Sequence, residues 1–144
     1  MTLPIPHVGP GEHIREQDFL EQLRRALNAA TRLTRVWRVN VGSVVTRDRS
    51  GRATGRFSAG APVGAADLTG IAGPSGKRLE IELKVSHKHT PEQVAFGQAI
   101  TRFGGIYLLI RYDTALSLAE NVERGVKMVD EAIAKCANGV SHVP

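Results

Sequence analysis

One cysteine, Cys136, stands in the whole chain, which excludes an internal disulfide and any cysteine-based zinc site. It falls in an apolar helical stripe, where a buried filler role is expected. Long hydrophobic runs are also missing. No stretch approaches the ~20 apolar residues of a membrane-spanning helix. The Pro- and Gly-containing start, residues 1–11, lacks the charged beginning and apolar centre of a secretory leader, so a soluble, cytoplasmic protein is expected. Acidic residues are in the minority, with 14 Asp+Glu against 19 Lys+Arg, a net charge of +5 and a pI near 9.9. That balance favours a polyanionic partner.

At 144 residues and 15.5 kDa the chain is long enough for a single core and too short for two. Residues 1–11 are expected as an irregular lead-in, 12–137 as one domain and 138–144 as a tail. From Glu12 to Thr31 the pattern is helical, with Phe19, Leu20, Leu23, Leu27 and Ala30 on one stripe. Glu16 extends this core-facing stripe, where a carboxylate near a helix start also suits the helix dipole. Val36 to Val45 alternates as a first strand. Thr46 to Pro62 has no periodicity and is expected as a Gly-rich loop carrying Arg47, Arg49, Arg52 and Arg56. Seven arginines and one acid, Asp48, lie between Arg32 and Arg56. Arginine forks grip phosphate oxygens bidentately, so nucleic-acid contact is the expectation, against a merely solubilising loop. The candidate DNA contacts are Arg38, Asn40, Arg47, Arg49, Arg52, Arg56 and Lys88.

The centre of the pattern is Leu79-Glu80-Ile81-Glu82-Leu83-Lys84-Val85. Its strict alternation is that of a strand with one apolar face and one face of two carboxylates and an ammonium. Glu82 and Lys84 project the same way, about 7 Å apart along the strand. Ala65 to Ile71 offers a second strand bearing Asp67, and the turn formers from Ala72 to Lys77 join the two as a hairpin. Asp67 then comes beside Glu82. Clustered carboxylates repel unless a cation neutralises them, and hard oxygen ligands suit Mg²⁺ or Mn²⁺. The competing reading is a solvated strand face with a surface ion pair. His87 and His89 have no third zinc ligand at suitable spacing and are expected on a solvated loop.

Downstream, Thr90-Pro91-Glu92-Gln93 is a capping box that accounts for Gln93 structurally. Gln93 also shares a stripe with Phe96, Ile100 and Phe103 that is expected to face the sheet, so two roles compete for it. Gly104-Gly105 ends that helix, and Ile106 to Arg111 reads as a buried parallel strand. Asp113 or Thr114 is expected to cap a last helix with Leu116, Ala119, Val122, Val126, Val129, Ala132, Ile133 and Cys136 as its apolar set. The order α-β-β-β-α-β plus a terminal helix makes an α/β fold, a mixed sheet with helices packed on it.

Asp67 followed by Glu82-Leu83-Lys84 resembles the D…(E/D)xK signature of the restriction-endonuclease-like nuclease superfamily. Thr90-Pro91-Glu92-Gln93 and then Gly104-Gly105-Ile106-Tyr107-Leu108-Leu109 resemble its virus-type replication-repair nuclease (VRR-NUC) branch, with the likeness running from Glu16 to Arg111. One departure is Ala66, where the superfamily motif has proline. The resemblance implies the αβββαβ core and an Mg²⁺- or Mn²⁺-dependent endodeoxyribonuclease. It implies that Asp67, Glu82 and the Leu83 main-chain carbonyl ligate the metal and that Lys84 orients water or steadies the transition state. Glu16, with Glu12 as the alternative, and Gln93 would complete the site. It further implies a junction-resolving enzyme of a phage or mobile element in a bacterial host, acting on branched DNA. A homodimer would supply two symmetric cuts, the apolar C-terminal helix being the surface considered for pairing. The alternatives are a homing or restriction-like endonuclease on the same scaffold, and a non-catalytic DNA-binding module.

Overall fold

A computed structural model describes residues 6–39, 43–58 and 60–138, and the side chains of all of these except 43–44 and 56–58. The elements are α1 (Glu16–Leu27), β1 (Thr34–Arg38), β2 (Ser43–Arg47), β3 (Ala53–Ser58), β4 (Leu68–Ala72), β5 (Lys77–Lys84), α2 (Pro91–Arg102), β6 (Ile106–Arg111) and α3 (Leu118–Ala137). A four-stranded mixed sheet runs β1-β4-β5-β6, antiparallel until the final β5–β6 pair, which is parallel across the α2 crossover. The protein is α/β, with helices flanking this sheet and α3 closing the chain.

Two faces of β5 go two ways. Leu79, Ile81 and Leu83 are fully buried with Phe19, Leu20, Leu23 and Leu27 of α1 and Val129 of α3, forming the core. Helix α1 begins with Glu16 and Asp18 and ends with Arg24 and Arg25, matching the helix dipole at both ends. Just past it, the Asn28 side chain donates to Val36 O (2.7 Å) and accepts from Val36 N (2.8 Å), tying the helix to edge strand β1. The opposite face of the sheet, bearing Glu80, Glu82 and Lys84, is covered by α2. The approach is close because Gly97 has no Cβ: one placed there would lie 2.6 Å from the Tyr107 ring of β6.

Several expectations change. The first helix starts at Glu16, four residues later than read, because Glu12 turns back to accept from Gly9 N (2.9 Å). The strand read over Val36 to Val45 divides, with β1 ending at Arg38 and β2 starting at Ser43. The segment read as an arginine loop is a second, two-stranded sheet of β2 and β3. Every residue from Val45 to Gly55 is exposed, so this described part of the ribbon shows no buried face and no alternation to read. Phe103 does not face the sheet. It sits at the C-cap of α2, 87% exposed. The last helix is capped by Ser117, whose capping box with Glu120 displaces the start from Asp113 or Thr114. Asn121, fully buried, accepts from Asp113 N (2.8 Å) and donates to Asp113 O (2.9 Å), holding that connection outside the helix.

Candidate active site

The β4–β5 hairpin arises from alternation and a turn over Gly73 to Gly76, and its ladder ends at Leu68 opposite Ile81. Continued one residue, the same register sets Asp67 opposite Glu82. Asp67 Oδ2 accepts from Leu83 N (2.8 Å), taking the place of a main-chain partner beyond the end of β4. On the other side of β5, Lys84 O accepts from Tyr112 N (2.8 Å). Carbonyls of successive strand residues alternate in direction, so the Leu83 carbonyl opens toward Asp67. The register thus sets Asp67 beside Glu82, with the Leu83 carbonyl on the Asp67 side of β5.

Glu82 and Lys84 are not on a solvated face. Glu82 is 1% and Lys84 8% exposed, and Lys84 Nζ meets Glu82 Oε1 at 2.6 Å. Gln93 Nε2 donates to the same Oε1. Its other end, Gln93 Oε1, accepts from Thr90 N (3.0 Å), while Gln93 N donates to Thr90 Oγ1 (3.3 Å). The two roles expected to compete for Gln93 are divided between the two ends of its amide. Gly64, at φ +83°, lets the segment before Asp67 lie against the start of α2, since a Cβ there would fall 2.4 Å from Glu92 O.

Glu16 lies in the first turn of α1, with Oε2 accepting from Val85 N (3.3 Å). Its charge reaches both Asp67 and Glu82. Burial pushes the Asp67 carboxyl above its ordinary range; the Leu83 N–H opposes this, Glu16 adds to it, and Lys84 and Arg38 oppose it. Burial likewise raises Glu82, against its bond to Lys84 and with repulsion from Asp67 and Glu16. Glu82 Oε2 is buried with no hydrogen-bond partner.

That orphaned oxygen is the observation that fits a cation. A buried carboxylate oxygen left unpaired costs free energy, and the mutual repulsion of Asp67, Glu82 and Glu16 is opposed by Lys84 and, at Asp67, by Arg38. Among the described residues no three His, Cys, Asp or Glu side chains are grouped to hold a metal. The donors that fit are two carboxylates and one carbonyl, all hard oxygen, with Glu16 at the margin and engaged by Val85.

Three further residues surround the site, none of which was named as a site residue from the sequence. Tyr107 projects beside Glu80 in the β5–β6 register, and its hydroxyl lies 2.9 Å from His89 Nε2. Burial, then Glu82, Asp67 and Glu80, push the Tyr107 phenol far up, so it stays protonated. Burial, Lys84 and Arg111 lower His89, whose Nε2 shares a hydrogen bond with the Tyr107 hydroxyl. His89 thus packs against Tyr107 instead of lying on a solvated loop. Glu80, 1% exposed, is held by Arg78 and Thr69. The alternation placed Glu80 on this face, but only the parallel register brings Tyr107 to it.

Of the expected DNA contacts, Arg38 is exposed at the end of β1 with its charge reaching Asp67, and Lys88 is exposed on the loop after β5. Arg47, Arg49 and Arg52 are exposed around the tip of the β2–β3 ribbon. Asp48 does not balance them in a salt bridge; its Oδ1 accepts from Ser50 N (2.9 Å), Ser50 Oγ (2.6 Å) and Arg52 N (3.0 Å) to form the turn. Asn40 and the Arg56 side chain lie outside the described residues. The apolar set of α3 that was considered for pairing with a second copy faces inward: Val129 is fully buried and Val122 and Val126 pack on the core. Ala115 and Ala119 remain exposed. No helix among the described residues is long and apolar enough to cross a membrane.

No protein-family model matches this chain, and no curated protein matches it.

Proposed function

We propose that this protein is a metal-dependent endodeoxyribonuclease of the restriction-endonuclease-like kind. The reading is carried by one observation: Asp67, bound to Leu83 N, stands across the register from Glu82 at the end of β5, with Lys84 and Gln93 on one oxygen of Glu82 and the other oxygen buried without a partner. Asp67, Glu82 and the Leu83 carbonyl would hold Mg²⁺ or Mn²⁺. Such an ion, when bound, lowers the pKa of its water and neutralises phosphate charge. Lys84, fixed by Glu82, would donate to the attacking water or to the phosphoryl oxygens on which charge grows. Gln93 keeps Glu82 aimed, and Glu16 holds the Val85 backbone at the rim. Arg38 and the exposed arginines of the ribbon would take the flanking phosphates. A two-stranded ribbon is narrow enough to enter a major groove.

Branched DNA is the preferred substrate class on the resemblance, within phage or mobile-element DNA processing. Two symmetric cuts in a four-way junction would require a second copy. With the α3 stripe already packed, that copy would use a different face. The test is cleavage of junction, flap, duplex and single-stranded DNA with Mg²⁺ or Mn²⁺ against EDTA. Asp67→Ala, Glu82→Ala and Lys84→Ala are each expected to abolish cutting. Full activity in Glu82→Ala, or cutting in EDTA, would sink the proposal, and tight DNA binding without cutting would favour a binding module. Light scattering with and without junction DNA checks the dimer.

A further inference from the structure

Across the α2-facing side of the sheet, Trp37, Thr69, Glu80 and Tyr107 stand in one row, paired strand by strand. Tyr107 lies under α2. Trp37, at the β1 end of the row, does not: it is 52% exposed. Between them is a cleft of ≈ 370 Å³ lined by Trp37, Arg38, Thr69, Arg78, Glu80 and Phe96, among others. Phe96 is steadied by an edge contact with Tyr107, ring centroids 6.4 Å apart. Glu80 lines the cleft with one oxygen oversubscribed and one empty. Thr69 Oγ1 and Arg78 Nε both donate to Oε1, at 2.6 Å each, and Oε2 is buried without a partner.

This carboxylate is not among the candidate metal ligands. It stands one strand repeat from Glu82, about 7 Å away. A cleft with aromatic walls, a buried acceptor and an exposed guanidinium at its rim fits a planar, donor-bearing heterocycle. A phosphate fits it poorly, because Glu80 would repel the anion. Resting on the nuclease reading above, we propose that the cleft receives one unstacked nucleobase of the DNA beside the scissile phosphate. Trp37 and Phe96 contact its faces, and Glu80 accepts from its exocyclic amino group. Adenine, cytosine and guanine carry that group and thymine does not. Arg78 is placed to donate to the neighbouring ring acceptor. Stacking on aromatic side chains strengthens binding base by base, and a matched acceptor adds discrimination between bases.

Trp37 is the chain's one tryptophan, so its fluorescence reports this cleft alone. The experiment titrates the full chain, in EDTA to prevent cutting, with short single strands of cytosine, of thymine and of abasic sugar-phosphate. Cytosine strands are expected to quench Trp37 saturably and to bind roughly tenfold more tightly than abasic strands. Thymine strands should fall between, and Glu80→Gln should remove the cytosine-over-thymine preference. Equal affinity for base-bearing and abasic strands, or no quenching, overturns the proposal; should Glu80→Gln fail to fold, the three strands decide alone. Cleavage in Mg²⁺ without a Trp37 response overturns the cleft and leaves the nuclease reading intact. A base-dependent response without cleavage in Mg²⁺ or Mn²⁺ supports the cleft and removes the nuclease.

Discussion

Gln93 joins Glu82 through its amide nitrogen while its amide oxygen caps the backbone of Thr90, so one side chain fixes both the start of α2 and a carboxylate of the site. The two functions separate by substitution. Gln93→Glu keeps an acceptor for Thr90 N but sets a second carboxylate against Glu82. Its helix cap should survive, with cutting lowered about 10- to 100-fold, the ~1.4–2.7 kcal/mol expected for a lost charge-assisted bond plus repulsion. Gln93→Ala should lose the cap as well, at ~1 kcal/mol of stability. Thermal melts beside cleavage rates check this; equal rates in wild type and Gln93→Glu would show that the bond to Glu82 is dispensable.

Asp67 and Glu82 should respond in opposite ways when neutralised. Asp67→Asn keeps an oxygen for Leu83 N and removes a half-buried charge that repels Glu82 and Glu16. The metal-free protein should gain roughly 1 kcal/mol, raising Tm by about 3 °C. Glu82→Gln leaves Lys84, 8% exposed, without its ion-pair partner. Removing one member of a buried pair costs ~3–5 kcal/mol, so this variant should melt well below wild type. Both should lose Mn²⁺ binding, measured by calorimetry. A fall in Tm for Asp67→Asn would contradict the charge-repulsion account.

The raised carboxyls of Asp67 and Glu82 fix a sign for the pH dependence. Where a folded-state pKa lies above the unfolded one, the folded protein binds more protons within that window. These two groups therefore favour the folded state at pH below the ordinary carboxylate range, and that contribution is lost as pH rises through their folded values. In EDTA their share of stability falls toward neutrality. Mg²⁺ binds only the ionised pair, so the rise in Tm on adding it should be large at pH 7.5 and fade on acidification. Melts with and without Mg²⁺ across this range are the measurement, and a metal shift that grows toward low pH would refute it.

The hairpin carrying Asp67 and Glu82 was legible because alternation and turn residues agree and register follows from the turn. The β2–β3 ribbon was not, because its described side chains, Val45 to Gly55, are all exposed and impose no period on the sequence. Phe103 shares the spacing of the large apolar residues of α2 without meeting the sheet. Gly97 makes the close approach instead, and a glycine gives no hydrophobic signal. Ser117 and Glu120 spelled a capping box, but Asp113 and Thr114 offered an earlier and equally plausible start. The link from Tyr107 to Glu80 depends on parallel register, which no local pattern encodes.

Gly97 also yields a prediction about how the site is held. A Cβ there would meet Tyr107 Cε1 at 2.6 Å and Cδ1 at 2.7 Å, and Tyr107 is held by His89 and Phe96. In Gly97→Ala, α2 must lift from the sheet, carrying Gln93 from Glu82. Overpacking of this kind costs ~1–3 kcal/mol despite alanine's better helix propensity. Cleavage should drop by a larger factor than in Gln93→Ala. A variant as stable and active as wild type would mean that the interface yields without moving the site.

The ribbon can be tested apart from the chemistry. Arg47, Arg49 and Arg52 are exposed, none lies in the four-stranded sheet, and Asp48 is committed to the turn. Replacing all three with glutamine should leave folding intact, apart from the Arg47 bond to Gly51 O (2.9 Å). Each phosphate contact releases counterions worth about 0.9 in the slope of log affinity against log salt. If all three touch phosphate, the slope should flatten by about 2.7, with affinity falling alike for every DNA sequence. The cutting rate at saturating DNA should hold, because the carboxylates and Lys84 lie on a different sheet. Anisotropy titrations from low to physiological salt measure the slope, and single-turnover cleavage measures the rate. An unchanged slope would assign the ribbon to solvent, and a collapsed single-turnover rate at saturation would tie it to the site itself.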